Sequence, residues 1–224
     1  MADAATMVGS STMTQKSELI IIVDDDFRVR EAISDMLASR HLASVAFGSA
    51  AEYLRFGNSD VPSCLVLDLS LPDIDGLALQ TAIAPTQHPP IVFISGHGDI
   101  PSSVRAMKAG AIDFLTKPVN EEQLLQAINV ALIRDREARH NRAELAKLEE
   151  RYSSLTPRER EVLPLVANGL LNKQAAAELG ISEVTLQIHR SKVMQKMKAR
   201  SVADLVRMTE RLNIPACHPH NARL

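Results

Sequence analysis

The chain has 224 residues and a formal net charge of −2. With 46% hydrophobic and 23% charged residues it has the composition of a globular protein, which excludes a mainly disordered chain. No apolar run approaches the roughly 18–20 residues a bilayer span needs, residues 1–18 lack the pattern of a secretory signal, and two cysteines make no disulfide framework. The expectation is a cytoplasmic protein with reduced thiols and no membrane partner. The charge divides unevenly at residue 150. Residues 1–150 hold 13 basic and 21 acidic residues, a net of −8, and residues 151–224 hold 12 and 6, a net of +6. An acidic front joined to a basic back points to a nucleic-acid-binding part attached to something else.

Residues 1–18 are non-periodic and read as a disordered tail. From Leu19 the pattern becomes regular. LIIIV (19–23) is an unbroken apolar run of the kind found in buried parallel strands. A helix follows with Val29, Ile33, Met36 and Leu37 on one face. The alternation then repeats: a strand near 42–46, a helix near 49–56, the strand CLVLD (64–68) and a helix from Gly76. The strand IVFIS (91–95), a helix near 101–109, the strand IDFLT (112–116) and a helix from about Asn120 complete the series. Five strand–helix units in this order predict a doubly wound parallel five-stranded sheet covered on both faces.

The last helix carries on without Gly or Pro through residue 152. Ile128, Leu132, Leu145, Leu148 and Tyr152 are its apolar positions, and the stretch 134–144 is too polar for a core. A solvated linker helix and a short dimeric coiled coil both fit. The back part is all-helical by pattern. Thr156-Pro157 with Glu159 forms a capping-box start, and Pro164 is expected to kink or shorten that helix. Asn172 opens a second helix that Gly180 ends, Ser182 caps a third, and a fourth runs from Val202 to Leu212. The expected domains are therefore a tail (1–18), an α/β domain (19–133), a helical linker (134–152), an all-α domain of four helices (153–212) and a tail (213–224). His218 and His220 lack a third ligand nearby and predict no metal site.

In an open parallel sheet ligands bind at the carboxyl ends of the strands. There the chain places Asp24, Asp25, Asp26, Asp68, Ser95, Thr116 and Lys117. Clustered carboxylates with partial hydration suit Mg²⁺. A cation beside Asp68 would keep it ionised and able to attack phosphorus, with Lys117 and Ser95 meeting the oxygens of the transferring group. The set fits phosphoryl transfer onto an aspartate.

VDDD (23–26), LDLSLPDIDG (67–76), ISGHGD (94–99) and DFLTKP (113–118) resemble the receiver domain of two-component response regulators, and HGDIPSSVRAMKAGAIDFLTKP (97–118) is similar to the FixJ group. The resemblance implies that Asp68 accepts a phosphoryl group from a sensor histidine kinase. It implies Mg²⁺ held by Asp25, Asp68 and the backbone carbonyl of Ser70, with Asp24 acting through water. Ser95 and Lys117 would contact the phosphoryl group, and Phe114 would turn inward when Ser95 is drawn to it. Ser70 is smaller than the residue often found there, and it and His97 are expected to tune phosphate lifetime.

SSLTPREREVL (153–163), GLLNKQAAAELGIS (169–182) and VTLQIHRSKVMQKMKARS (184–201) resemble the helix-turn-helix DNA-binding domain of LuxR/FixJ-type regulators. The family usually has Ile at the place of Ala175 and Val at that of Leu186, so compensating packing is expected. The helix after Ser182 would enter the major groove of double-stranded DNA with Leu186, Val193 and Met197 turned inward. Gln187 is expected to meet a base, adenine by its bidentate amide pattern, Ile188 a thymine methyl, and Ser191 a base or phosphate. Arg190, Lys192, Lys196 and Lys173 are expected at phosphates.

The whole then reads as a regulator that is phosphorylated, forms a homodimer and controls transcription, with RNA polymerase as a further partner. Two rivals remain. A constitutive DNA-binding factor would have a vestigial front domain, against which the intact acids, Ser95 and Lys117 speak. A phosphatase of the haloacid dehalogenase type would need a second acid two residues after Asp68, where Ser70 stands. The expectation is a regulator, not an enzyme.

Overall fold

The computed structural model describes residues 18–96 and 100–215. The tails beyond them, with Cys217, His218 and His220, and residues 97–99, with His97, lie outside the described residues. The chain divides into two units at Arg139 and His140.

In the first unit, β1 (Leu19–Val23), α1 (Phe27–Ser39), β2 (Ala43–Phe47), α2 (Ala50–Phe56), β3 (Ser63–Asp68), α3 (Gly76–Ile83), β4 (Ile91–Ser95), α4 (Ile100–Lys108) and β5 (Asp113–Thr116) follow in turn, and α5 begins at Glu121. The sheet is wholly parallel in the order β2-β1-β3-β4-β5. This is the expected doubly wound five-stranded arrangement. The order reverses between β1 and β3, and the crevice there is the switch point where such sheets bind ligands.

Strand periodicity sorts the core. Ile20, Ile22, Cys64, Val66, Val92, Ile94 and Leu115 pack on one face with α1 and the first turns of α5. Ile21, Val23, Leu65, Leu67, Ile91 and Phe93 pack on the other with α2, α3 and α4. Because side chains alternate along a strand, each unbroken apolar run covers both faces at once. Burial also pushes the Tyr53 phenol up to about 12 and raises the Cys64 thiol.

Several elements differ from the sequence expectation in informative ways. Asp26, the third acid of the 24–26 run, is the N-cap of α1 and accepts from Arg28 N at 2.8 Å, which separates it from the acidic pair before it. The 134–144 stretch reads as solvated, yet Asp135 is 2% exposed. Its carboxylate accepts from the buried Ser63 N at 2.9 Å and from Arg139 Nε at 2.6 Å. Arg139 also donates to Ser59 O at 2.9 Å. A buried charge is tolerable when it is paired and hydrogen-bonded in this way.

α5 (Glu121–Ser153) is one 33-residue helix. In the second unit, α6 (Pro157–Ala167), α7 (Asn172–Leu179), α8 (Glu183–Met197) and α9 (Val202–Arg211) pack around Leu148, Val162, Leu163, Ala175, Leu186, Val193, Met197 and Leu205. Ala175 and Leu186 are both fully buried. The capping box is present: Thr156 Oγ1 accepts from Glu159 N, and Glu159 Oε2 accepts from Thr156 N at 2.9 Å. Pro164 does not shorten α6, which continues to Ala167. The helix loses the bond Pro164 cannot donate, but Leu163, Leu165 and Val166 around it are buried and hold the turn. Gly180, at φ +63, closes α7 and allows the tight turn into α8.

Candidate functional site

The aligned strand ends build the first site. Val23 pairs with Leu67, Asp68 with Ile94, and Ser95 with Thr116. This register sets Asp24, Asp68, Ser95 and Lys117 along one edge of the sheet. Asp24 is fully buried, Asp68 is 4% exposed and Ser95 is buried, whereas Asp25 faces solvent. Asp24, Asp25 and Asp68 each offer an oxygen, and the three lie within 4.8 Å of one another. Lys117 Nζ reaches Asp24 Oδ2 at 2.6 Å and Asp68 Oδ2 at 3.1 Å.

The electrostatics follow from burial. Desolvation holds the Asp24 carboxyl above its usual range, against the opposing contacts from Lys117 and from Asp26 N at 2.9 Å. For Lys117 burial is the largest influence and lowers its pKa, but the bonds and charges of Asp24 and Asp68 together outweigh it, so the ammonium is held above its ordinary value. Among the described residues, three carboxylates meet one ammonium here, an excess of acidic groups. An oxygen-only donor set with one solvent-facing member is the chemistry a hydrated Mg²⁺ takes, so the residues fit that ion.

Neighbouring groups fix the site. Arg30 NH1 donates to Asp24 O at 2.7 Å and Asp25 O at 3.0 Å, and so ties down the loop that carries both acids. Ser70 is exposed and its backbone bridges to Asp75. Asp75 caps α3 by accepting from Leu77 N at 2.9 Å. Asp73 accepts from Ala51 N at 2.9 Å and Ala50 N at 3.3 Å at the start of α2. Phe114 is half-buried, its ring 6.2 Å from that of Phe93. Thr116 is exposed. Arg30 and Asp73 were not singled out by sequence, because both act on backbone groups rather than on side chains: Arg30 on the loop just before it, Asp73 on residues more than twenty positions earlier.

The second site lies on α7 and α8. Leu186, Val193 and Met197 are buried, as their spacing predicts. Gln187, Ser191, Lys192 and Lys173 are exposed, and Ile188 is 51% exposed. Arg190 NH1 donates to Asn172 Oδ1 at 2.8 Å, and Asn172 Nδ2 donates to Gln187 Oε1. Lys196 has an internal role: its Nζ lies 2.7 Å from the buried Glu159 Oε2 and 3.1 Å from Ser154 O.

The two sites match two families. Residues 20–129 match the response regulator receiver domain, and residues 153–209 match the bacterial regulatory proteins of the luxR family. The chain belongs to the two-component response regulators of the FixJ/LuxR type, which are transcriptional regulators rather than enzymes. It is 48% identical to Nodulation protein W of Bradyrhizobium diazoefficiens, over 96% of each chain. It is 46% identical to the response regulator protein TodT of Pseudomonas putida, over 91% of this chain and 90% of that one. Among solved structures the response regulator StyR aligns with a TM-score of 0.77 at 45% identity, covering 87% of this chain and 99% of its own. A receiver domain implies a sensor kinase as partner, and a LuxR-type helix-turn-helix implies DNA. Among the described residues no helix is long and apolar enough to cross a membrane.

Proposed function

We propose that Asp68 accepts a phosphoryl group from a sensor histidine kinase in a Mg²⁺-dependent reaction, and that the phosphorylated chain dimerises and binds DNA to regulate transcription. The observation that carries this is the meeting of Asp24, Asp25, Asp68 and Lys117 at the sheet's switch point.

Asp25, Asp68 and the Ser70 carbonyl would hold Mg²⁺, with Asp24 acting through water, and the bound ion would neutralise charge building on the transferring oxygens. An Asp68 oxygen attacks phosphorus, the bond to the kinase imidazole nitrogen breaks, and an acyl phosphate forms. Lys117, already paired to Asp68, moves its charge to a phosphoryl oxygen. Ser95 donates a hydrogen bond to another and carries the change to Phe114. Ser70, two residues after the acceptor in sequence, and His97, two after Ser95, set the lifetime of the acyl phosphate. In the second unit Ile188 and Ser191 face the bases with Gln187, and Arg190, Lys192 and Lys173 serve phosphates. Lys196 is left out of that set because Glu159 holds it. Joining two such units raises affinity for a two-fold site without any new contact. RNA polymerase is the further partner that regulation of transcription implies.

The test is size-exclusion chromatography with light scattering in Mg²⁺, with and without beryllofluoride, a phosphoryl mimic. The expected result is a monomer-to-dimer shift in the wild type that Asp68→Asn loses. A shift that persists in Asp68→Asn, or no phosphate incorporated at Asp68, would overturn the proposal.

A further inference from the structure

The polar groups between α7 and α8 form a chain of fixed polarity. A guanidinium only donates. Arg190 NH1 points at Asn172 at 2.8 Å, so the Asn172 oxygen must face it. A reversed Asn172 amide would set N–H against N–H. The Asn172 nitrogen is thereby turned the other way, and it donates to Gln187. A donor facing Gln187 requires that side chain's oxygen. The Gln187 amide is thus oriented from the arginine outward, with its acceptor end engaged by α7 and its donor end, the NH₂, left for a ligand. Gln187 itself is exposed on α8.

We propose that Asn172 is a specificity-determining residue: by occupying Gln187 Oε1 it makes Gln187 read acceptor-bearing bases. This rests on the reading of α8 as the helix in the major groove. A free glutamine suits adenine, because its oxygen takes N6–H while its nitrogen gives to N7. A glutamine whose oxygen is held presents donors. In the major groove guanine offers two acceptors, N7 and O6, and thymine offers O4, whereas cytosine offers only a donor. Guanine or thymine is therefore the base opposite Gln187, and adenine loses its two-point advantage. Arg190 contributes the anchor that sets the polarity, and its second guanidinium nitrogen remains for a phosphate.

The chain can be inverted by one substitution of nearly the same shape. Asn172→Asp keeps an oxygen for Arg190 but presents a second acceptor to Gln187. The glutamine amide must then rotate to donate, and its oxygen becomes the outward group. The base preference should move from guanine or thymine to cytosine or adenine, whose amino groups donate. Asn172→Ala removes the tie with no new charge and should broaden the preference.

The experiment is selection from a random duplex oligonucleotide library by the full-length chain with Mg²⁺ and beryllofluoride, followed by sequencing. Gln187→Ala identifies the position, since its preference flattens there alone. At that position the wild type should favour guanine or thymine by roughly three- to tenfold, the value of one or two directed hydrogen bonds. Asn172→Asp should reverse the ratio by a similar factor, and Asn172→Ala should abolish the bias against adenine. Circular dichroism melting of each variant checks the fold, and Asn172→Ala carries the test if Asn172→Asp fails to fold. A wild-type preference for adenine or cytosine, or wild-type selectivity retained in both Asn172 variants, overturns the inference. No enrichment of any sequence, or a Gln187→Ala profile equal to wild type, overturns the base-contact reading beneath it.

Discussion

Gly76→Ala sets two physical effects against each other at the phosphoryl site. Gly76 is the first residue of α3, and its φ is not positive. Helix propensity alone therefore predicts that Ala stabilises, by about 1 kcal/mol. The surroundings predict the reverse. A Cβ on Gly76 would lie 2.5 Å from Asp68 O, 3.1 Å from Leu69 Cα and 3.1 Å from Phe93 Cε1. Moving from 2.5 Å to the 3.4 Å at which ordinary contact begins takes about 0.9 Å of displacement. The obstructing atom is backbone, and Gly76 N is bonded to Leu69 O at 2.8 Å, so neither side yields easily. Overpacking of this kind costs roughly 1–3 kcal/mol, which leaves a net loss of up to about 2 kcal/mol once propensity is credited. The displaced group is Asp68 itself. A misplacement near 1 Å costs on the order of 100-fold in reactivity, so phosphate uptake should fall about 10- to 100-fold. Urea unfolding followed by circular dichroism gives the first quantity, and phosphate incorporation from acetyl phosphate gives the second. A variant as stable as wild type, or more so, that takes phosphate at the wild-type rate would refute the close-approach argument.

Asp135→Ala should destabilise the first unit by about 2–4 kcal/mol, because it leaves the Ser63 N–H buried without its acceptor while a 28%-exposed Arg139 can rehydrate. Hydrogen exchange at the Ser63 amide should quicken, and an unchanged rate would count against the network. Arg30→Met should weaken Mn²⁺ binding, read by electron paramagnetic resonance, by roughly tenfold, because the carbonyls of Asp24 and Asp25 lose their shared donor. An unaltered Mn²⁺ affinity would mean the loop holds its shape without Arg30. Glu159 is buried, which alone would raise its carboxyl, but Lys196 and the Thr156 amide outweigh that and hold it below the ordinary value. A lowered folded pKa gives stability that is present above the unfolded value, near ~4.3, and is lost as pH falls through the folded one. Melting of the wild type should drop in that acid window more steeply than that of Glu159→Gln, and parallel pH profiles would contradict the assignment.

Legibility in the sequence followed the range of the interactions. The strands could be read because LIIIV, CLVLD and IVFIS are short apolar runs that only a sheet covered on both faces can bury. The acids could be read because each stands at the end of such a run. The capping box of Thr156 and Glu159 was visible because its partners are three residues apart. Asp26 could not be told from Asp24 and Asp25 by type, and only its bond to Arg28 N makes it a cap. Asp135 was hidden because its acceptor role depends on Ser63, 72 residues earlier. The contacts of Asn172 and Lys196 were passed over for the same reason. Their partners, Gln187, Arg190 and Glu159, lie on other helices of the same unit.

The alignment of strand ends also says where the chain can change length. Residues 84–90 enter β4 at the amino edge of the sheet, and Pro85, Thr86 and Gln87 there are exposed. A residue inserted among them lengthens a loop at the end opposite the chemistry, at a closure cost that grows only slowly with length. Residues 69–75 occupy the other edge, where Ser70 bridges Asp75 and Asp73 holds the start of α2. One residue added there breaks contacts with two helices at once. Inside β5 a single insertion would reverse the facing of Phe114, Leu115 and every residue to Lys117. Variation in length is thus directed to one rim of the sheet, while the other, which carries the acids and Lys117, holds its register.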